Sequence, residues 1–199
     1  MTEQSFNPLA MDNLARSIVM RMMEMDPVPL DDVPRFNGAG IYAIYYRGSL
    51  RTYQALSQVG ASVPIYVGKA VPSGGRKGID IAEPSDTHAL ADRLRQHAAS
   101  IRAATNLDIA DFLTRWLVVD DIWIPLGESA LLRQYRPVWN AVVDGFGNHD
   151  PGRGRINGLR PRWDTLHPGR VWAANYPPRG ETSSEIEQDV LEYLRSRLA

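Results

Sequence analysis

The sequence of 199 residues contains no cysteine. That absence removes disulfide frameworks, zinc ribbons, iron–sulfur clusters and thiol nucleophiles. Lysine is nearly missing too: of 22 basic residues, only Lys69 and Lys77 are lysine and the others are arginine. No apolar run approaches the ~18 residues of a membrane span, and the opening MTEQSFNPLA lacks the basic start and apolar stretch of a signal peptide. The chain therefore reads as cytoplasmic, with no membrane partner. Disorder and low complexity are excluded by a composition that is 44% hydrophobic and 9% aromatic with 23% charge. A chain of this length closes one sizeable core, so a single domain over 1–199 is expected.

Charge of either sign barely exceeds the other overall, at −1, but its distribution is uneven. Residues 1–32 carry six acids against two arginines and residues 183–199 carry four against two, so the ends contribute −4 and −2. The middle, 33–182, is left with 18 basic and 13 acidic residues, or +5, which suits a polyanionic partner. Codon bias is the plainer reading of the arginine excess. The chemical alternative is that arginine is wanted for bidentate contact with phosphate and guanine, while Lys69 stays a compact ammonium for a separate reason.

Asn7 as a cap and Pro8 in the first turn, followed by Leu14, Ile18, Met22 and Met25 at helical spacing, predict a helix over about 8–25. A proline-bearing linker then runs from Asp26 to Asn37. The runs Gly40–Tyr46 and Val63–Gly68 are β-branched and aromatic and read as strands, joined by a long connection over 47–62. After a glycine-rich loop carrying Arg76 and Lys77, Asp86 or Thr87 caps a helix over about 88–104. Arg115–Ile124 reads as a third strand, and Glu128–Tyr135 as a short helix that Pro137 ends. Residues 141–180 have no sustained period yet hold Phe146, Trp163, Trp172 and Tyr176, which points to an ordered, loop-rich arm. Ser184 with Glu187 predicts a capping box for an amphipathic final helix.

Two placements carry chemistry. Arg93 and His97, four apart, lie side by side along the border of the stripe formed by Leu90, Leu94, Ala98 and Ile101. Glu128 points to the same side of its helix as Leu131, Leu132 and Tyr135, so it calls for a partner: a divalent cation, an arginine or the helix N-terminus. Alone, each of these is ordinary: a half-buried histidine, a surface cation, a first-turn acid.

Taken in order, Gly40-Ile41-Tyr42, Tyr66-Val67-Gly68, Arg93 with His97, Glu128 and Asn140 resemble the GIY-YIG nuclease superfamily over about residues 38–141. Tyr-Val-Gly-Lys-Ala, the Arg-x-x-x-His helix, Arg136-Pro-Val-Trp-Asn140 and the following Asp-Gly-Phe-Gly-Asn-His-Asp-Pro-Gly resemble its type II restriction endonuclease branch, in the subfamily that cuts CCGCGG. Valine stands where the second tripeptide has isoleucine.

The resemblance implies an α/β fold of the α+β type. It has a small central sheet, mixed or antiparallel, flanked by helices, with 1–37 as N-terminal helix and linker, 38–141 as catalytic core and 142–199 as DNA-reading arm and final helix. It implies that Glu128 holds Mg²⁺, with Mn²⁺ as a substitute, against the scissile phosphate of double-stranded DNA. Arg93 would stabilise the phosphoryl oxygens, and Tyr66 and Asn140 would complete the hydrogen-bond shell. Tyr42 would position or deprotonate the water. Free tyrosine, with a pKa of about 10, is a poor base at neutral pH, so Lys69 or His97 must favour its phenolate, and the sequence leaves both open.

Arg153, Arg155, Arg160, Arg162 and Arg170 in the arm, with Arg76 and Lys77 in the loop, are the candidate DNA contacts. A palindrome and one active site per chain call for a homodimer, or for sequential nicking; the Met-rich first helix and the 47–62 connection are the candidate dimer contacts. A cognate methyltransferase is implied by the family. Rival readings are a repair or mobile-element nuclease on the same core and a non-catalytic DNA-binding protein.

Overall fold

Strict alternation in the run Gly-Ile-Tyr-Ala-Ile-Tyr-Tyr sets the centre of the molecule, because period-2 geometry sends successive side chains to opposite faces. The computed structural model describes residues 7, 9–72, 87–148 and 158–198. Its sheet has four antiparallel strands, β1 (Val28–Pro29), β2 (Gly40–Tyr46), β3 (Tyr66–Ala70) and β4 (Phe112–Val118), in the order β1-β4-β2-β3. β2 is interior and buried along its whole length. Its Ile41, Ala43 and Tyr45 join one hydrophobic cluster, and its Tyr42, Ile44 and Tyr46 join the other.

On the first face lie α1 (Met11–Met23) and α4 (Ile124–Tyr135), which contribute Val19, Met22, Ile124 and Leu131 to the core. Between them in sequence come α2 (Gln54–Gln58) and α3 (Ala89–Ala103). α3 packs on the second face through Leu90, Leu94, Ala98 and Ile101, the predicted stripe. The same face is closed by α5 (Val138–Ala141), α6 (Arg162–Leu166) and α8 (Ser183–Leu198), while α7 (Val171–Ala174) is a single turn between the last two.

The α+β class is as expected, with the sheet antiparallel throughout. Several boundaries differ for local reasons. β1 lies inside the stretch expected to be linker, where Val28 and Pro29 pair with Thr114 and Leu113. β3 begins at Tyr66 rather than Val63 and continues through Lys69 to Ala70; Pro64 has no N–H to give to a ladder. β4 starts at Phe112, three residues before the expected Arg115, and ends at Val118. α4 begins at Ile124 rather than at the expected Glu128, with Pro125 in its first turn as the start signal. It ends at Arg136, held in the left-handed region at φ 41°, immediately before Pro137.

Helix caps are displaced in a similar way. Asn7 does not cap α1; its side chain accepts from the Leu9 N–H one turn earlier, and α1 starts at Met11. The capping box of the final helix is formed by Thr182 and Glu185 rather than Ser184 and Glu187: the Glu185 carboxylate accepts from the Thr182 N–H at 2.7 Å and Thr182 Oγ1 accepts from the Glu185 N–H at 3.2 Å. Glu187 instead accepts from Thr52 Oγ1 at 2.8 Å, tying the 47–62 connection to α8 of the same chain. Within that connection, Tyr53 and Leu56 are fully buried.

Residues 158–180 of the arm are ordered, as the aromatics predicted, and Trp163 and His167 are completely buried. His167 Nε2 accepts from the Tyr53 hydroxyl at 2.6 Å, Tyr53 accepts from Trp139 Nε1 at 2.9 Å, and His167 Nδ1 meets Asn106 Oδ1 at 3.0 Å. This tautomer leaves no room for a second ring proton, and burial pushes the imidazole down to about 3. An imidazole that titrates near 6.5 when unfolded takes up protons there before it does in the folded state, so stability falls as pH drops from about 6.5 towards 3. His167 alone is expected to cost about 2 kcal/mol between pH 7 and 5. Urea unfolding at both values measures this, and His167→Gln should flatten the difference; an unchanged slope would place the acid sensitivity elsewhere.

Candidate active site

Tyr42 leaves β2 on the face covered by α3 and is completely buried. Directly opposite it in register is Gly68 of β3. A Cβ on Gly68 would fall inside the contact distance of the Tyr42 hydroxyl, so glycine is what lets the phenol ring lie across the neighbouring strand. Tyr66, two residues earlier on the same face of β3, brings its ring to 6.2 Å from that of Tyr42.

α3 supplies the next layer. His97 is 2% exposed, and its Nε2 lies 2.6 Å from the Tyr42 hydroxyl. The phenol and the imidazole are thus joined by a direct hydrogen bond. One turn earlier, Arg93 donates from Nη2 to the Gly147 carbonyl at 2.6 Å and from Nη1 to Gln96 Oε1 at 3.4 Å. Phe146 stacks on the His97 ring at 4.5 Å and meets the Tyr66 ring edge-on at 4.9 Å.

Burial raises the Tyr42 phenol far above its ordinary value; nearby Tyr66 adds to this, and the Arg93 guanidinium opposes it. Tyr66 is also raised, first by burial, again with Arg93 acting the other way. Both tyrosines are therefore neutral hydroxyls at neutral pH. Tyr42 gives up its proton only if an acceptor is in place, and His97 is in hydrogen-bond contact with it.

Lys69 is elsewhere. It follows Tyr66 by three residues, an odd number, so strand alternation directs it to the opposite face, beside Ile41 in register. There its Nζ pairs with Glu128 Oε2 at 2.7 Å. The partner that Glu128 required is thus an ammonium from the adjacent strand, and neither an arginine nor the helix N-terminus. Both side chains keep solvent contact, at 40% for Lys69 and 20% for Glu128.

A model of the Eco29kI GIY-YIG domain matches residues 34–194, most of the chain. The chain belongs to this family of restriction endonuclease domains. It is accordingly a nuclease that acts on DNA. A comparison with curated proteins finds no match.

In this Eco29kI-type domain, six of the expected site residues come together around the β2–β3 hairpin: Tyr42, Tyr66, Arg93 and His97 on one face, Lys69 and Glu128 at its other side. Asn140 is differently employed. Its Oδ1 accepts from the Val67 N–H at 2.8 Å and its Nδ2 donates to the Val67 carbonyl at 2.9 Å. Both ends of the amide thus extend the β3 hydrogen-bond ladder, fastening α5 beside Tyr66 rather than reaching out to a ligand.

The arm arginines are also occupied. Arg170 is 5% exposed; it forms a two-pronged pair with Asp164 and donates to the carbonyls of Gly145, Phe146 and Asn148. The expectation that Arg170 contacts DNA is corrected by this burial: all of its donors face protein acceptors. Arg160 donates to the carbonyls of Ala173, Ala174 and Tyr176. Arg162 donates to the Val142 carbonyl and pairs with Glu181 and Asp189. Arg76, Lys77, Arg153 and Arg155 lie outside the described residues.

Among the described residues no group of three or more His, Asp or Glu side chains could hold a metal ion, and no helix is long and apolar enough to cross a membrane. Glu128 is the one carboxylate of the expected set beside the tyrosine pair. Phe146 and Gly147 were missed as site residues, although the Gly-Phe-Gly run stood out in the sequence; a bare tripeptide does not reveal what a ring will stack on.

Gly68→Ala is expected to destabilise the fold by about 1–3 kcal/mol, the usual range for overpacking a tight interior. Urea denaturation checks this, and an unperturbed midpoint would mean that the Tyr42 ring can move aside.

Proposed function

We propose that the chain is a type II restriction endonuclease that hydrolyses both strands of double-stranded DNA at a short GC-rich palindrome, CCGCGG, with Mg²⁺ as cofactor and Mn²⁺ able to replace it. The observation that carries the chemical reading is the 2.6 Å contact between Tyr42 and His97, with Arg93 one turn away on the same helix. Phosphodiester hydrolysis needs an activated water, stabilised phosphoryl oxygens and a supported leaving 3′ oxygen.

In this reading Tyr42 accepts a proton from the attacking water while its own proton passes to His97 Nε2. The raised phenol then never has to persist as a free phenolate. His97, not Lys69, is the proton acceptor, since Lys69 projects from the other face of the hairpin and is engaged by Glu128. Arg93 keeps the Gly147 carbonyl and adds a phosphoryl oxygen to its acceptors, a charge-assisted contact. Tyr66 donates its hydroxyl to the same phosphate, and Asn140 positions Tyr66 through β3.

A lone, partly exposed carboxylate suits Mg²⁺, which keeps most of its waters and takes one or two protein carboxylates plus substrate phosphate oxygens. Glu128 would hold it, and when bound there the ion supplies charge neutralisation at the phosphate and the departing oxygen. Lys69 has to yield part of its contact with Glu128 to accommodate it.

With Arg160, Arg162 and Arg170 engaged by protein acceptors, DNA reading is assigned to Arg76, Lys77, Arg153 and Arg155. A palindromic site with one active site per chain makes the working form a homodimer. A cognate DNA methyltransferase would protect the same site in the host.

A plasmid digest with Mg²⁺, followed by sequencing of the cut ends, tests the reading. Discrete double-strand ends at one palindrome are expected, and Glu128→Ala should abolish cutting while retaining DNA binding; metal-dependent cutting by that variant would remove the metal assignment. The pH–rate profile separates the two basic candidates. His97→Asn is expected to change its shape and Lys69→Met to leave it unchanged, and the reverse result would return the role to Lys69.

A further inference from the structure

The segment Gly145–Asn148 lies outside the set of catalytic side chains but touches three of them. The Gly147 carbonyl accepts from Arg93, the Phe146 ring stacks on His97, and the same ring meets Tyr66 edge-on. Gly147 itself lies against Tyr66: a Cβ there would sit 2.5 Å from the Tyr66 hydroxyl and 3.4 Å from Arg93 Nη2. Its bare backbone is what allows Arg93 and the Tyr66 hydroxyl to approach the same point.

The shape of this segment is imposed from within the arm. Arg170 donates to the carbonyls of residues 145, 146 and 148, at 2.9, 3.1 and 3.1 Å. The carbonyl of residue 147 is the one it leaves out, and that carbonyl faces Arg93. Arg170 is fixed in turn by the Asp164 carboxylate, at 2.6 and 2.5 Å, and its guanidinium lies over the rings of Trp163 and Trp172 at 4.5 and 4.7 Å. Asp164 is raised by burial and lowered by Arg170, so the pair stands or falls together. A buried guanidinium with this many protein acceptors is a rigid template.

We propose that Gly145–Asn148 is a positioning element for the nuclease site, templated by the Asp164–Arg170 pair, and that Gly147 and Arg170 are positioning residues that set Arg93, His97 and Tyr66 in their reactive places. The proposal rests on the reading of those three side chains as groups acting at the phosphate. It makes the arm part of the catalytic apparatus as well as of DNA binding, because the residues that shape it, 164 to 172, belong to the arm. A group misplaced by about 1 Å can cost on the order of 100-fold in rate, so a single methyl at residue 147 is a sensitive probe.

The experiment compares wild type, Gly147→Ala, Arg170→Lys and Arg93→Ala in Mg²⁺-dependent plasmid cleavage, with kcat, KM and thermal midpoint recorded for each. Gly147→Ala is expected to lower kcat about 10- to 100-fold with KM unchanged, when assayed well below its own midpoint. Arg170→Lys, which keeps the charge but cannot reach three carbonyls and a carboxylate at once, should lower kcat in the same way even where its midpoint falls, when assayed well below that midpoint. Wild-type kcat in Gly147→Ala, or a loss confined to KM, overturns the proposal, the latter by making the segment a DNA contact. Failure of the underlying reading looks different: wild type that does not cut, or Arg93→Ala that cuts as fast as wild type.

Discussion

The hydrogen bond between Tyr42 and His97 joins residues 55 positions apart and ties the central strand to α3. It can form only because β2 runs through the middle of the sheet and α3 lies across one face of it. The bond requires a glycine at position 68 to make room for the phenol and an aromatic ring, Phe146, to fill the far side of the imidazole. A second bond of the same kind, Tyr53 to His167, has the same 2.6 Å length and equal burial. The difference is in their neighbours. Tyr53 and His167 are enclosed by Trp139, Trp163 and Asn106, whereas Tyr42 and His97 are flanked by Arg93 and Tyr66. A guanidinium stands beside one Tyr–His pair, an indole and an amide beside the other.

The abundance of arginine has a structural explanation that neither codon usage nor DNA contact supplies. Arg47, Arg115, Arg160, Arg162 and Arg170 each donate to backbone carbonyls of loops or short helices. A loop-rich chain leaves many carbonyls outside regular ladders, and burying one without a donor is costly. The guanidinium, with five donors in a fixed fork, satisfies several at once, which an ammonium on a flexible stem does less well. Lys69 is kept where a single compact charge against one carboxylate suffices.

Some of this was readable in advance. The strand Gly40–Tyr46, the helix bearing Arg93 and His97 on one border, and the order of arm aromatics all followed from periodicity and composition, since local patterns dictate local structure. The choice between Lys69 and His97 stayed open because the expected strand stopped at Gly68; β3 runs on to Ala70 and places Lys69 opposite Ile41. What could not be read was any contact between distant segments. β1 lies in a proline-bearing stretch with no strand pattern of its own, and it exists because β4 offers an edge.

Residue type alone excluded thiol chemistry, while the fold class and the six residues around the β2–β3 hairpin came from ordered motifs, spread over four elements, that resemble the GIY-YIG superfamily. Only the tertiary structure decided which cation meets Glu128, that Asn140 splices onto β3, and that Arg170 templates the segment beside Arg93. Those are choices among equally capable donors and acceptors, and nothing short of their positions in space distinguishes one from another.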